Sequence, residues 1–409
     1  MMKLKKSVVE NTLIFMSFGL LFVDAFTGYI LFSYHFNSNI SLMYKMFFLL
    51  LCLVYCFSAN QSNYKIVLVL MLSALIWSVS QNITNATSYA IRDLGDSLKV
   101  ISLFIVFYTF SQFHNYDVKK FIKLFISINI IILLINILAT KMGYGNSAYS
   151  SFGAKGFFQA GNSLSSIIIL LSSFCLHFAL RKSRGIFFVS LSIFLVIALM
   201  VGTKSGMLGV LIVGLLVLCS TFKVTLKNIS AVSLMLFLIF ILAIKVYEFL
   251  LTTPFFDRFI FVYENTGIWG ALLSGRVAFL EDIYPYFMNS SYLELLFGLG
   301  SGGLSVFEKP LVEMDWFDML FQFGFIPTII YGIGLFSLLK KNYTFPGNQI
   351  DEFAEDLSNS SVVASIVLVI ISVISGHVLL NGVVTFFWSV LLSLPFWYSN
   401  SLSEIKLTD

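Results

Sequence analysis

The sequence predicts an all-α polytopic membrane protein with about twelve transmembrane helices and one large outward loop. Three observations carry that reading. Hydrophobic residues make up 58% of the 409 residues, charged residues only 11%, and mean hydropathy is +0.92; an average soluble domain is about a quarter charged. Apolar runs near the roughly 20 residues that span a bilayer recur along the chain. The acidic residues are bunched, nine of the twenty-one lying between Asp257 and Asp318.

The apolar runs lie near 12–34, 42–59, 66–80, 97–113, 121–140, 162–180, 186–201, 204–220, 228–251, 316–339, 361–380 and 382–398. The third, fourth and seventh are short or marked by polar residues, so eleven or thirteen spans also fit. The first run follows "MMKLKKS" and continues without a small-residue cleavage site, which makes it a span rather than a signal peptide. The chain is thus one integral domain over 1–409, with nine spans to 251, a loop over 252–315 and three spans over 316–398.

Lysine and arginine set the orientation. With the N-terminus inside and strict alternation, fifteen of the twenty-five cations fall in inner segments such as "RKSRG" and "LKKNY". Eight fall outside, and Lys45 and Lys245 lie within spans. The large loop then faces outward and both termini face inward. No inverted halves of the kind many transporters carry are visible. Cys52, Cys56, Cys175 and Cys219 sit inside apolar runs, as inert small hydrophobes rather than a disulfide framework or a metal set.

Two outer segments precede the large loop. "SQNITNATSYAIRDLGDS" reads as a solvated loop. "KMGYGNSAYSSFGAKGFFQAGNS", which holds Lys155 and Asn162, combines aromatics and amides that suit sugar contacts, or that form an ordinary interfacial belt.

Outward cations run against the positive-inside bias and so draw notice. Lys204, in "VGTKSGMLG", opens a helix whose dipole disfavours a cation unless an anion lies beside it; the bland reading is a snorkelling lysine. Arg276, in "LLSGRVAFLEDIYPYF", has a fork that suits a diphosphate, or else pairs with Glu281 or Asp282. "LFGLGSGGLSVF" lacks the Lys-Ser/Thr of a nucleotide loop, and its glycines predict a turn where backbone approaches a ligand. "VEMDWFDMLFQFG" places Glu313, Asp315 and Asp318 within six residues at the mouth of the tenth span. Carboxylates near lipid and near one another gain proton affinity, which suits a general base. Equally, Asp315 and Asp318 can simply start a helix. A divalent cation held by Glu313 and Asp315 lacks further obvious ligands. His377 in "SGHVLL" and Asp24 in "LFVDAFTGY" are polar groups at membrane ends or depth, the second either functional or paired with a lysine.

Taken together, "GTKSG", the loop opening on Ser-Gly-Arg, "LLFGLGSGG" and the closing "EMDWFDMLFQFG" resemble the bacterial O-antigen polymerase (Wzy) and O-antigen ligase (WaaL) superfamily. "GAKGFFQAGNS" and "SGHVLL" are similar to segments of the polymerase branch. The ligase branch carries a histidine before the closing span, where this chain has the Glu-x-Asp segment, and the arginine of its pre-span turn is replaced here by Lys204.

The resemblance implies a GT-C-like glycosyltransferase of the bacterial inner membrane that uses no cofactor or metal. It would move a growing glycan from undecaprenyl diphosphate to a sugar hydroxyl of a second lipid-linked unit at the periplasmic face. Lys204 and Arg276 would bind the diphosphate. Glu313 or Asp315, with His377 in reserve, would take the proton, and Lys155, Asn162 and Asp318 would contact substrate. The partners so implied are the two lipid-linked oligosaccharides, the bilayer and a chain-length regulator; nucleic acid is not among them. An oligosaccharide flippase, an O-antigen ligase and a protein O-glycosyltransferase are the competing expectations.

Overall fold

In the computed structural model the described residues are 2–58, 64–84, 89–114, 116–149, 152–158, 160–220 and 273–408, with scattered positions between 230 and 270. They form an all-α membrane bundle with one small hairpin. In chain order the first elements are α1 (Met2–Tyr34), α2 (Ile40–Ser58), α3 (Tyr64–Thr84), α4 (Ala90–Phe110) and α5 (Val118–Lys141). The hairpin β1 (Asn146–Tyr149) and β2 (Phe152–Gly156) follows, then α6 (Gly161–Lys182), α7 (Arg184–Val201) and α8 (Lys204–Ser220). Within the large loop come α9 (Arg276–Met288), α10 (Tyr292–Phe297) and α11 (Gly300–Leu304). The chain continues through α12 (Asp315–Phe323), α13 (Phe325–Tyr343), α14 (Gly347–Ile350), α15 (Glu352–Ile374) and α16 (Gly382–Thr408).

Seven of these helices are long and apolar enough to cross a membrane: α1, α2, α5, α6, α7, α15 and α16. Shorter apolar helices cover 65–81, within α3, and α8. The expected ninth span, 228–251, lies outside the described residues apart from isolated positions. The expected tenth, 316–339, is not one helix. Gly324, at φ 84 and ψ 178, separates α12 from α13. A side chain there would strike the backbone of Gly298 and Leu296, so close approach to the large loop divides the expected span. The expected eleventh span, 361–380, is displaced: α15 covers 352–374, and 375–380 form a non-helical turn.

Capping explains many boundaries. Asp117 accepts from the N–H groups of Lys119 and Lys120 at the start of α5. Ser183 separates α6 from α7 and caps the second, Gly202 ends α7 in the left-handed region, and Asp351 caps α15. The Asn381 side chain accepts from Val383 and Val384 at the start of α16.

The bundle is centred on α6 and α16, whose apolar stretches are 83% and 89% buried, against 28% for α2 and 33% for α7. α6 packs on α7, α8 and α15, and α16 on α4, α15, α1 and α6. Serine and tryptophan knit these centres together. Ser173 donates to the Ser360 carbonyl at 2.8 Å, Ser361 to that of Leu391 at 3.1 Å, and the Trp388 indole to Ser365 at 2.7 Å. Small polar residues let membrane helices approach closely and hydrogen-bond across the interface.

The described part of the large loop has its own apolar centre, formed by Ile283, Phe287, Leu299, Leu304, Val312, Met314 and Phe321. The hairpin is tied to α5, because the N–H of Gly156 donates to Thr140 Oγ1 at 2.8 Å and that of Phe157 to Asn136 Oδ1 at 3.1 Å. The Phe157 ring meets Tyr29 and Phe32 of α1, and its carbonyl lies over Gly28, where only a residue without a Cβ fits.

Candidate functional site

One cavity of about 1050 Å³ is lined by all eight candidates: Lys155, Asn162, Lys204, Arg276, Glu313, Asp315, Asp318 and His377. The helix segments reaching it follow an order. They are the late part of α1 (Asp24, Thr27, Gly28), the early parts of α2 (Ser41, Lys45) and α4 (Arg92, Asp96, Lys99), the first residues of α6, α8 and α16, and the last turn of α15. Alternating helices thus present the ends that share one side of the bundle.

The N-termini of α6 and α8 open on this cavity through Gly161–Ser163 and Thr203–Ser205. Their orphan N–H groups and positive poles favour an anion. The two starts are fastened together. Thr203 bonds to Ser165, and Ser205 donates to Asn162 Oδ1 at 3.4 Å. Lys204 heads α8, and Lys155 at the end of the hairpin packs over Gly161.

Arg276 follows a left-handed pair, Ser274 at φ 59 and Gly275 at φ 77, and begins α9. Its side chain is 12% exposed. One terminal nitrogen lies 3.4 Å from the carbonyls of Leu273 and Ile374, and the other 3.6 Å from Glu313. The partners expected in the bland reading, Glu281 and Asp282, are not the ones it uses. Its buried Nε has no acceptor among the described residues. Lys309 completes the group, 2.9 Å from Glu313 and 4.2 Å over the Phe279 ring.

The carboxylates divide by role. Asp315 is buried and accepts from the backbone N–H groups of His377, Val378 and Leu379 at 2.9, 2.8 and 2.9 Å. Burial pushes its carboxyl up to about 6, against the pull of those three donors. Asp318 accepts from Val312 at 2.7 Å and Met314 at 3.1 Å. Both side chains therefore hold loops in place, Asp318 its own and Asp315 the turn after α15. Glu313 points instead to cations. Burial works to raise its carboxyl, but the Lys309 hydrogen bond and charge, with His377 and Arg276, hold it below the ordinary glutamate value.

His377 stands apart. Its ring lines the cavity and makes no hydrogen bond among the described residues. Burial lowers its pKa, Glu313 opposes that, and Arg276, Lys309 and Lys155 reinforce it, so the ring is neutral near pH 7. Both Glu313 and His377 have positive φ, 65° and 72°, and the N–H of Gly376 donates to the Glu313 carbonyl at 2.5 Å. Non-glycine residues in this region cost about 1–3 kcal/mol each and tend to cluster at functional sites.

Sequence reasoning missed Lys309, although its spacing to Glu313 is that of a helical ion pair. It also missed the polar wall on the other side, where Lys99 pairs with Asp96 at 2.6 Å and Gln322 donates to Asp96 at 2.8 Å. Asp24 takes the second of its two expected roles. Lys45 lies 2.8 Å away, and Ser41 donates to the same oxygen. The glycines of "LFGLGSGG" have a packing purpose besides the one expected. Gly298, at φ 86, lies against the Gln322 and Phe323 backbone, and the Phe297 carbonyl accepts from Trp77 and Gln81 of α3. The close approach seen at Gly298 is of loop to bundle, while Ser301 and Leu304 of the same stretch line the cavity.

Among the described residues no three His, Cys, Asp or Glu side chains are grouped to hold a metal. The carboxylates nearest to that geometry are already engaged by amides and cations. No protein-family model matches the chain, and no curated protein is significantly similar to it.

Proposed function

We propose that the chain is an inverting, metal-independent glycosyltransferase that extends a surface polysaccharide. It would transfer the growing glycan from undecaprenyl diphosphate to a sugar hydroxyl of another lipid-linked unit at the outer face of the bacterial inner membrane. The observation that carries this reading is the cation cluster. Lys155, Lys204, Arg276 and Lys309 surround one cavity at two helix N-termini, and Glu313 is the carboxylate that two of them share. Such a site has room and charge for a diphosphate.

In this mechanism the acceptor hydroxyl oxygen attacks the anomeric carbon from the face opposite the diphosphate. The carbon–oxygen bond to the diphosphate breaks, and its electron pair leaves with the phosphate. Arg276, Lys309, Lys204 and Lys155 stabilise that developing charge, an electrostatic contribution. The hydroxyl proton passes to the His377 imidazole. His377 suits this role better than the carboxylates. Asp315 has both oxygens occupied by N–H donors, and Glu313 is held ionised between Arg276 and Lys309. Glu313 would orient the imidazolium that forms.

The deciding assay uses the purified protein in nanodiscs with a lipid-linked oligosaccharide already facing the site. The wild-type chain yields a ladder of products that remain lipid-linked, and Arg276→Ala lowers extension about 100–1,000-fold. An undiminished ladder from Arg276→Ala would remove the proposal's foundation. Transfer to lipid A core or to protein instead would redirect it to a ligase.

A further inference from the structure

The cavity has an apolar arm between α8 and α15. On α1, α2 and α4 every lining side chain is polar or charged. Past Ser205, by contrast, the lining of α8 is Leu208 and Ile212, and α15 contributes Ile370, Ile371 and Ile374. Leu208 and Ile212 lie one and two turns beyond Lys204, about 6 and 12 Å along the axis. α15 runs the other way, so Ile374 ends it beside the cations and Ile370 lies about 6 Å deeper. Ile371 closes the floor of the arm against Gly209, where a Cβ would come within 2.9 Å of its Cδ1. The two walls therefore descend together. Leu208, Ile370 and Ile374 are 58%, 43% and 47% exposed, so the arm is open along its side.

Each wall carries a cation at its head. Lys204 begins α8, and the Arg276 guanidinium lies 3.4 Å from the Ile374 carbonyl at the end of α15. Ser205 beside Lys204 is taken up by Asn162. Below it the arm offers no side-chain hydroxyl, amide or charge among the described residues. The order is cation, then hydrocarbon. A glycerophospholipid puts ester groups between those levels and carries two chains, whereas the arm has one aliphatic row on each wall. A single chain of isoprene units joined directly to a diphosphate matches it. Such a chain gains little by leaving lipid for a protein surface of the same polarity. What the arm supplies is a route by which the diphosphate reaches the cations while the chain stays in apolar surroundings.

We infer that the α8–α15 arm seats the first isoprene units of the donor's polyprenyl chain, with the diphosphate between Lys204 and Arg276 at its head. The inference rests on the glycosyltransferase reading and adds to it the side from which the donor enters. Entry past α1, α2 or α4 would instead draw hydrocarbon across the Lys45–Asp24 and Lys99–Asp96 pairs, and stripping water from such groups is costly.

The test is equilibrium binding by the full chain in nanodiscs, with inorganic diphosphate and farnesyl diphosphate as separate probes and empty nanodiscs as the blank. Leu208→Trp and Ile370→Trp, one on each wall, place an indole in the arm. Each should weaken farnesyl diphosphate about ten-fold, from forcing a chain into an overfilled space, while inorganic diphosphate binds as before and so reports an intact fold and cation site. Val196→Trp on α7, 55% exposed and outside the cavity, should change neither. Arg276→Ala should weaken both probes. If the two blocking variants bind farnesyl diphosphate as the wild type does, the arm holds only bulk lipid and the inference is overturned, while the cation site stands. Blocking variants that weaken both probes alike, or a Val196→Trp that weakens farnesyl diphosphate as much as they do, would also overturn it. If the wild type binds neither probe, the diphosphate site fails and the inference goes with it.

Discussion

His377 and Glu313 form a titrating pair whose balance is set by the cations beside them. Because burial and Arg276 lower the His377 pKa, its basic form persists below pH 6.5. The rate should therefore stay level as pH falls through 6.5 and drop only below it, which a kcat/KM profile would show. Glu313 is the group that raises His377. In Glu313→Gln that support is gone, the imidazole is harder to protonate, and the acid limb should move to still lower pH. A limb that moves upward would mean the histidine is not the titrating base. Asp315 acts one step away. Asp315→Asn keeps the shape but puts an NH2 group where an acceptor is needed, so the 377–379 turn loses one or two of its three N–H bonds. The expected result is a fall in kcat with little change in KM. These roles were only partly legible in the sequence. Three carboxylates in six residues marked the place, but which were occupied by amides depended on a turn about sixty residues away. The strained φ of His377 left no trace in composition.

Element by element, the helix interiors were legible and their interruptions were not. Hydropathy found the seven long apolar helices because lipid demands long uninterrupted runs. It read through Gly324, since "FQFGFIPTII" is apolar on both sides of the break. It also missed the hairpin, whose strands are four and five residues long and whose pattern is small and polar. Gly324 offers a clean test. Gly324→Ala places a methyl against Gly298 and Leu296 at a φ of +84°. The combined strain and overlap should destabilise the chain by about 2–4 kcal/mol, seen as a lowered thermal midpoint. Substituting Gly275, which also has positive φ but has no atom near its missing Cβ, should cost only about 1 kcal/mol.

Across the whole molecule the two ends of the bundle differ in chemistry. One holds the cation-lined cavity, and the other holds the Arg181–Asp356 cluster. The positive-inside distribution predicts that the first faces outside. Tyr144, 66% exposed, flanks the hairpin, and Lys182 sits at the opposite end. In a Cys219→Ser background, Tyr144→Cys should react with a membrane-impermeant maleimide in intact cells. Lys182→Cys should react only after permeabilisation. The reverse pattern would turn the cavity inward.

The walls of the cavity also carry a constraint on assembly. Asp24 and Lys45 come from the first two helices, while His377, Asn381 and Gly382 come from the turn into the last. Gly382 lies close against the side chains of Lys45 and Lys99, so the earliest and latest helices meet inside the site itself. A ribosome must therefore deliver the chain through the start of α16 before this cavity is complete. The pairs Lys45–Asp24 and Lys99–Asp96 lie wholly within helices made earlier, so both lysines have a counter-charge at hand before α16 arrives.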